Sequence, residues 1–397
     1  MGVDHPSISP PWLGRLESHR QDIRKEGLYR SRRLLEGRQG VHVRVDGRSL
    51  TNFSSNDYLG LAGDARLEQA LVKGAARYGV GSGAAHLICG HSSAHHRLEE
   101  EIADFLGRDR ALLFSTGYMA NLGVLSALMG RNGLIFEDRL NHASLLDGAQ
   151  LSGAKLKRYA HGTLPEIGRE QGPYSLIASD GVFSMDGDLM NGEALCSVAS
   201  CSGAILMVDD AHGIGVLGDT GAGVLEAQGL GQDAVPILVG TLGKAMGTFG
   251  AFVAGPEILI EFLIQKARTY IYTTAMPAAV AEATRASLLL VRQEAWRREH
   301  LKALIARFRL GANALGLALG ASQTPIQPIL VGDSRSAVMA QARLLEAGFL
   351  VIAIRPPTVP KGTARLRCTL TANHQVEDVD RLLEALSACP ELSQSNL

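Results

Sequence analysis

The chain has 397 residues, 46% of them hydrophobic and 45 of them glycine, with 39 Lys plus Arg against 40 Asp plus Glu. That length exceeds one ordinary core and implies two domains, or one large domain with a smaller appendage. Balanced charge gives no electrostatic hold on nucleic acid or an anionic membrane surface, and no apolar run approaches a membrane span, so small-molecule partners are expected.

The start, Met1-Gly2-Val3-Asp4-His5-Pro6, lacks a basic-then-apolar signal, and a cytoplasmic location is expected. Residues 11–36 are rich in Arg and Glu, with Trp12, Leu13, Leu16, Ile23 and Leu28 spaced loosely for an amphipathic helical arm. Val41–Val45 alternates as a strand, Asp46-Gly47 supplies a hairpin turn, and Ser49–Phe53 returns as the partner. Ser93–Leu106 carries Leu98, Ile102, Phe105 and Leu106 at helical spacing and stops at Gly107. Short apolar runs at Ala111–Phe114, Gly133–Phe136, Ser175–Ala178, Ala204–Val208, Ile237–Val239 and Ala251–Ala254 read as strands. Alternating with helical stretches, they predict an α/β fold with a mostly parallel sheet and helices on both faces. Beyond Pro277 one long helix is expected from Ala278 to about Leu319. It is followed by strands at Ile326–Val331, Phe349–Ile354 and Leu366–Leu370 and a helix at Val376–Ala388, a smaller α+β unit. Prolines stiffen the loop Arg355–Pro360. The expected division is an arm and hairpin over 1–50, a large domain over 51–280 and a small domain over 281–397.

In open α/β sheets ligands gather at the carboxyl ends of the strands. Gly117-Tyr118, Ser179–Ser184, Asp209–His212 and Thr241–Lys244 all follow expected strands, so one crevice is expected to collect them. Lys244 stands in an apolar turn where Gly240, Gly243 and Gly247 permit tight bending and close approach of a ligand. An amine there loses part of its preference for charge, which suits Schiff-base chemistry; the alternative is a surface lysine after a strand. A Walker A loop is excluded, because Leu238 and Ala245 occupy positions that need Gly and Ser or Thr. Gly213–Gly218 matches G-x-G-x-x-G, but Asp209–His212 separate it from the strand and no helix pattern follows, leaving a dinucleotide-binding protein as an alternative.

Five cysteines, an odd number with no CxxC pair, suggest reduced thiols. His91, His95 and His96 place imidazoles on one helical face, yet no further motif completes a ligand set, and no metal is expected. Pyridoxal phosphate needs a lysine, a carboxylate opposite its ring nitrogen, phosphate donors and a flat partner for its ring. Lys244, Asp209, the amides of Gly117-Tyr118 before a helix over Ala120–Met129, and His142 offer these, with His212 in reach of the ring hydroxyl.

Six ordered motifs, Asn52–Gly60, Leu113–Asn121, Gly181–Asp188, Val208–Gly213, Gly240–Lys244 and Thr358–Arg367, together resemble the α-oxoamine synthases. These are fold-type I pyridoxal phosphate enzymes that condense an amino acid with an acyl thioester. The resemblance runs from about Leu28 to His374. Within the family, Arg355-Pro-Pro-Thr-Val-Pro is most similar to members that join L-alanine to a pimeloyl thioester, carried on coenzyme A or on a carrier protein; the 5-aminolevulinate and 2-amino-3-ketobutyrate members are the alternatives. The resemblance implies Lys244 as Schiff-base lysine, Asp209 as ring-nitrogen partner and His142 as stacking ring. It implies Ser184, His212 and Thr241 as further cofactor contacts, with Gly117 and Tyr118 lining the pocket. For substrate it implies Asn56 and Arg367 at the alanine carboxylate, and Arg30 (or Arg32) and Thr358 at the acyl chain. It also implies a homodimer with shared active sites, in which Thr274 reaches the partner's cofactor phosphate.

Overall fold

The computed structural model describes residues 10–26, 28–168 and 174–392, so the first six residues, read above for a signal, lie outside the described residues. Its centre is a seven-stranded sheet in the order Arg110–Phe114, Ala251–Gly255, Ile237–Thr241, Ile205–Asp209, Ser175–Asp180, Leu134–Asp138, Lys155–Tyr159. Ala251–Gly255 runs antiparallel to both neighbours, and the remaining pairs are parallel. The inner strands carry short apolar runs because both faces of the sheet are covered there. Met207 packs with Leu176 and Ile237 in one core, while its neighbours Leu206 and Val208 pack with Ile177 and Leu238 in the other. Each such fully buried side chain contributes about 1.5–3 kcal/mol relative to exposure.

The hairpin forms as expected from His42–Val45 and Arg48–Asn52, with Asp46 and Gly47 at φ 49° and 77° in the turn. The arm helix spans Pro11–Lys25 and buries none of its side chains. Ser93–Leu106 is capped by Ser92 and closed by Gly107 in the left-handed conformation at φ 61°.

Several expectations are corrected. The long helix is two, Ala278–Gln293 and Ala295–Ala314, because Glu294 leaves helical geometry at φ −106°, ψ 59°. Its carboxylate there pairs with Arg66 and Arg297. The strand expected over Phe349–Ile354 divides between two sheets. Phe349–Leu350 pairs in parallel with Thr51–Asn52 of the hairpin, whereas Ile352–Ile354 pairs antiparallel with Arg365–Arg367. Strand Lys155–Tyr159 has no counterpart in the sequence reading. Packing also requires Gly240 and Gly247: a Cβ at Gly240 would lie 2.3 Å from the Phe252 ring, and one at Gly247, which bends at φ 66° as expected, 2.5 Å from the backbone nitrogen of Ala62. Finally, Gly213–Gly218 wraps the Asp210 carboxylate, which accepts the Val224 N–H at 2.7 Å and would lie 2.1 Å from a Cβ at Gly213. That side chain fills the space a pyrophosphate would need, and the dinucleotide reading is set aside.

Candidate active site

Five strands of the large sheet end on one side in a cleft of about 210 Å³. Arg110–Phe114 leads to Gly117 and Tyr118, Leu134–Asp138 to His142, Ser175–Asp180 to Ser184, Ile205–Asp209 to His212, and Ile237–Thr241 to Lys244. A larger open groove of about 600 Å³, between helices Ala65–Tyr78, Ser93–Leu106 and Ala278–Gln293, is lined by Arg and Glu pairs and holds none of these residues.

Gly117 and Tyr118 form the first turn of helix Gly117–Leu128 rather than preceding it, since Thr116 is the cap and accepts the Met119 N–H at 3.1 Å. Amides of a helix's first turn have no intrahelical acceptor and favour an anion. A Cβ at Gly117 would stand 2.8 Å from Thr241 Cγ2, so only glycine lets these two strand ends approach.

Asp209 is held from two sides. Its Oδ2 accepts from Asn121 Nδ2 at 2.6 Å and its Oδ1 from the Ala211 N–H at 3.0 Å. Asn121 also donates to Ser144 Oγ at 2.8 Å, and that hydroxyl lies 2.7 Å from His142 Nδ1. His142 caps helix Ala143–Ser152, its own N–H donates to Asp180 Oδ2 at 3.1 Å, and burial holds its imidazole below the usual range. Asp180 lies level with Asp209 on the adjacent strand; its second oxygen is buried without a partner among the described residues, and burial pushes its carboxyl well up.

Lys244 Nζ lies 2.9 Å from His212 Nε2. Burial pushes the amine down to about 8, opposed by the charges of Asp209 and Asp180. His212 is held well below its ordinary value, first by burial and then by Lys244, and is therefore neutral. Its Nδ1 meets the hydroxyl of the fully buried Tyr58 at 2.5 Å, which in turn lies 3.2 Å from Asn56 Oδ1. Arg367 donates from both terminal nitrogens to that same oxygen at 3.1 Å, and from Nε to the Ser184 carbonyl at 2.7 Å. One chain of contacts thus runs from Lys244 through His212, Tyr58 and Asn56 to Arg367.

The structure brings together Gly117, Tyr118, His142, Ser184, Asp209, His212, Thr241 and Lys244 around the cleft, with Asn56 and Arg367 beside it. Arg30, Thr358 and Thr274 are exposed and do not line the cleft of the single chain. Tyr58, Asn121 and Asp180 lie in segments the sequence singled out, but no role was expected of any of them. Asn121 had a signal, a fully buried amide inside the apolar helix Gly117–Leu128.

A family model, Aminotransferase class I and II, matches residues 48–386. Among similar proteins, the 8-amino-7-oxononanoate synthase of Thioalkalivibrio sulfidiphilus is 60% identical over 376 residues, covering 94% of this chain and 96% of the relative. The enzyme of that name from Pseudomonas aeruginosa is 59% identical over 375 residues, covering 94% and 93%. Among solved structures, Sphingomonas wittichii serine palmitoyltransferase superposes with a TM-score of 0.87 at 29% identity, covering 98% of each chain. A variant serine palmitoyltransferase from S. paucimobilis, with a bound PLP–myriocin aldimine, gives the same TM-score of 0.87 at 29% identity, covering 96% and 97%. The 8-amino-7-oxononanoate synthase of Francisella tularensis gives a TM-score of 0.74 at 32% identity over 85% of this chain and 97% of that one. With its fold-type I architecture, this chain belongs to the class I and II aminotransferase family and, within it, to the 8-amino-7-oxononanoate synthases.

Proposed function

We propose that this protein uses pyridoxal phosphate to condense L-alanine with a pimeloyl thioester, releasing carbon dioxide and free thiol and yielding 8-amino-7-oxononanoate for biotin synthesis. The observation that carries the reading is Lys244, an amine lowered to about 8 at a strand end, sharing a cleft with Asp209 and two neutral imidazoles.

The cleft fits the cofactor on its own chemistry. First-turn amides at Gly117 and Tyr118 suit a phosphate, Asp209 is fixed by two donors and suits a ring nitrogen, and Lys244 suits an aldehyde carbon. His142 would cover the ring, and Ser184, His212 and Thr241 would make the remaining contacts. When bound, the cofactor supplies a carbonyl for exchange of amines and a ring that delocalises the electron pair left by a departing α-proton.

The chain's own residues do the rest. Arg367 and Asn56 bind the alanine carboxylate and orient the Cα–H bond. Lys244, about half neutral at pH 8, takes the α-proton as general base and returns one after decarboxylation. Asp209 keeps a proton on the ring nitrogen. Arg30 and Thr358 would meet the acyl chain.

The enzyme would act in the cytoplasm as a homodimer. Exposed Thr274, and an arm helix with no buried side chain, support a second copy completing each site. Borohydride reduction of the cofactor-loaded protein followed by peptide mass mapping tests the assignment. The label is expected on Lys244, and a label on another lysine would overturn it.

A further inference from the structure

We propose that His91, His96 and Glu99 form a binding site for a divalent ion of the zinc class, at the start of helix Ser93–Leu106 and separate from the Lys244 cleft. One ligand atom from each lies within 4.8 Å of the others, and His91 Nε2 stands 3.9 Å from Glu99 Oε2. His96 and Glu99 are three residues apart on the helix and so share a face, while His91 arrives from the turn before it.

Hydrogen bonding decides which lone pairs are free. His95 lies close by but is engaged at both nitrogens. Its Nε2–H donates to the Met276 carbonyl at 2.7 Å and its Nδ1 accepts the Ser92 N–H at 3.0 Å, which removes it from the ligand set. His86 and His91 meet Nδ1 to Nδ1 at 3.1 Å, so only one of the two can carry the proton. With that proton on His91, its Nε2 keeps a lone pair on the side of Glu99. This is the usual state of a metal-bound imidazole, whose second nitrogen is anchored by an acceptor.

Glu99 points independently to a cation. Its side chain is 12% exposed, its Oε1 accepts the Leu113 N–H at 2.9 Å, and among the described residues its ion-pair neighbour is His91. Arg110 is drawn instead to Glu261. Arg110 still acts on Glu99 through space, so what the carboxylate lacks among the described residues is a direct ion pair with Lys or Arg. Two nitrogens, one oxygen and an open side toward solvent suit a tetrahedral ion keeping one water, with the 64% exposed His96 turning from Glu100, whose Oε1 lies 3.4 Å from its Nε2. Bonds of about 2.0–2.1 Å need the ligand atoms to close to roughly 3.3 Å apart, which requires rotation of the exposed His96 and a small shift of Glu99 Oε2, the oxygen not held by the Leu113 N–H. The ion would tie the turn around Ala85 to the helix, and Ala85 is bridged to Thr274.

The tag-free, cofactor-loaded protein, stripped of adventitious metal by dialysis against a chelator, is titrated with Zn²⁺ and with Co²⁺. Binding of one equivalent per chain is expected, with the intense visible band of low-coordinate Co²⁺. His96→Ala and Glu99→Gln should each weaken binding at least tenfold while leaving cofactor absorbance unchanged; Gln keeps an oxygen for the Leu113 N–H, so the helix should remain folded. Failure of the parent protein to bind an equivalent at hundred-micromolar metal would overturn the site. Equal affinity in the parent and both variants, which places the ion elsewhere, would overturn it too.

Discussion

Tyr58→Phe tests the contact chain through the cleft. Lys244 donates to His212 Nε2, so His212 carries its proton on Nδ1 and gives it to the Tyr58 oxygen at 2.5 Å, while the Tyr58 proton goes to Asn56 Oδ1. Removing one hydroxyl leaves a buried N–H without an acceptor, at a cost of about 1–3 kcal/mol. His212 escapes that cost by moving its proton to Nε2, where it faces Lys244 and no longer accepts from the ammonium. The charged amine then loses a partner. At 1.4 kcal/mol per unit, a loss of this size moves Lys244 about one to two units below its present value of about 8. Exchange of the alanine α-proton in deuterated water, followed against pH, reads this directly. The rising limb should move to lower pH by at least about one unit, and the melting temperature should fall. A limb within about 0.3 units of the parent, at unchanged stability, would refute the relay.

Lys244→Met removes a buried ammonium whose folded value of about 8 lies below its ordinary 10.5. The folded state therefore binds fewer protons than the unfolded one between those values, and the parent's stability rises with pH across that window. The cofactor-free variant should melt higher than the parent at pH 7, with the gap closing toward pH 10.5; a gap that does not narrow contradicts the burial argument. Asp209→Asn should fold and bind cofactor yet lose most α-proton exchange, because an amide cannot hold the ring nitrogen protonated; a rate within a few-fold of the parent refutes the role. His161 is clamped between Asp138 at 3.0 Å and Asp188 at 2.8 Å and raised to about 10. The stability it contributes is full below its ordinary 6.5 and is lost as pH rises toward 10, so His161→Gln should lower the melting temperature most at pH 6 and least at pH 10. A pH-independent difference would contradict the ion clamp.

The central sheet was legible because a strand buried on both faces carries an uninterrupted apolar run, as Leu176–Ala178 and Ile237–Val239 do. Lys155–Tyr159 was not, because an edge strand alternates Lys and Arg with partly buried Leu and Tyr and makes no apolar run. The break at Glu294 was hidden because neither Gly nor Pro marks it; tertiary pairing with Arg66 and Arg297 holds it. Strand ends gave Lys244, Asp209 and His212 through local pattern. Tyr58 and Asp180 act through partners over 150 and about 40 residues away in the chain, which spacing cannot reveal. Arg30, Thr358 and Thr274 stay as family expectations, since no pattern within one chain says what approaches an exposed loop.

The acyl thioester is where the account commits itself most. Each buried methylene adds about 0.8 kcal/mol, so the roughly three extra methylenes of pimeloyl over succinyl favour it by up to roughly fifty-fold. The decisive measurement incubates the cofactor-loaded protein with carboxyl-labelled L-alanine and, in parallel, acetyl, succinyl and pimeloyl thioesters at subsaturating concentration, following labelled carbon dioxide and product mass. The account predicts 8-amino-7-oxononanoate and stoichiometric labelled carbon dioxide from the pimeloyl donor, with the shorter donors far behind. Equal rates with all three, or transfer of the alanine amino group with no carbon dioxide released, would contradict it.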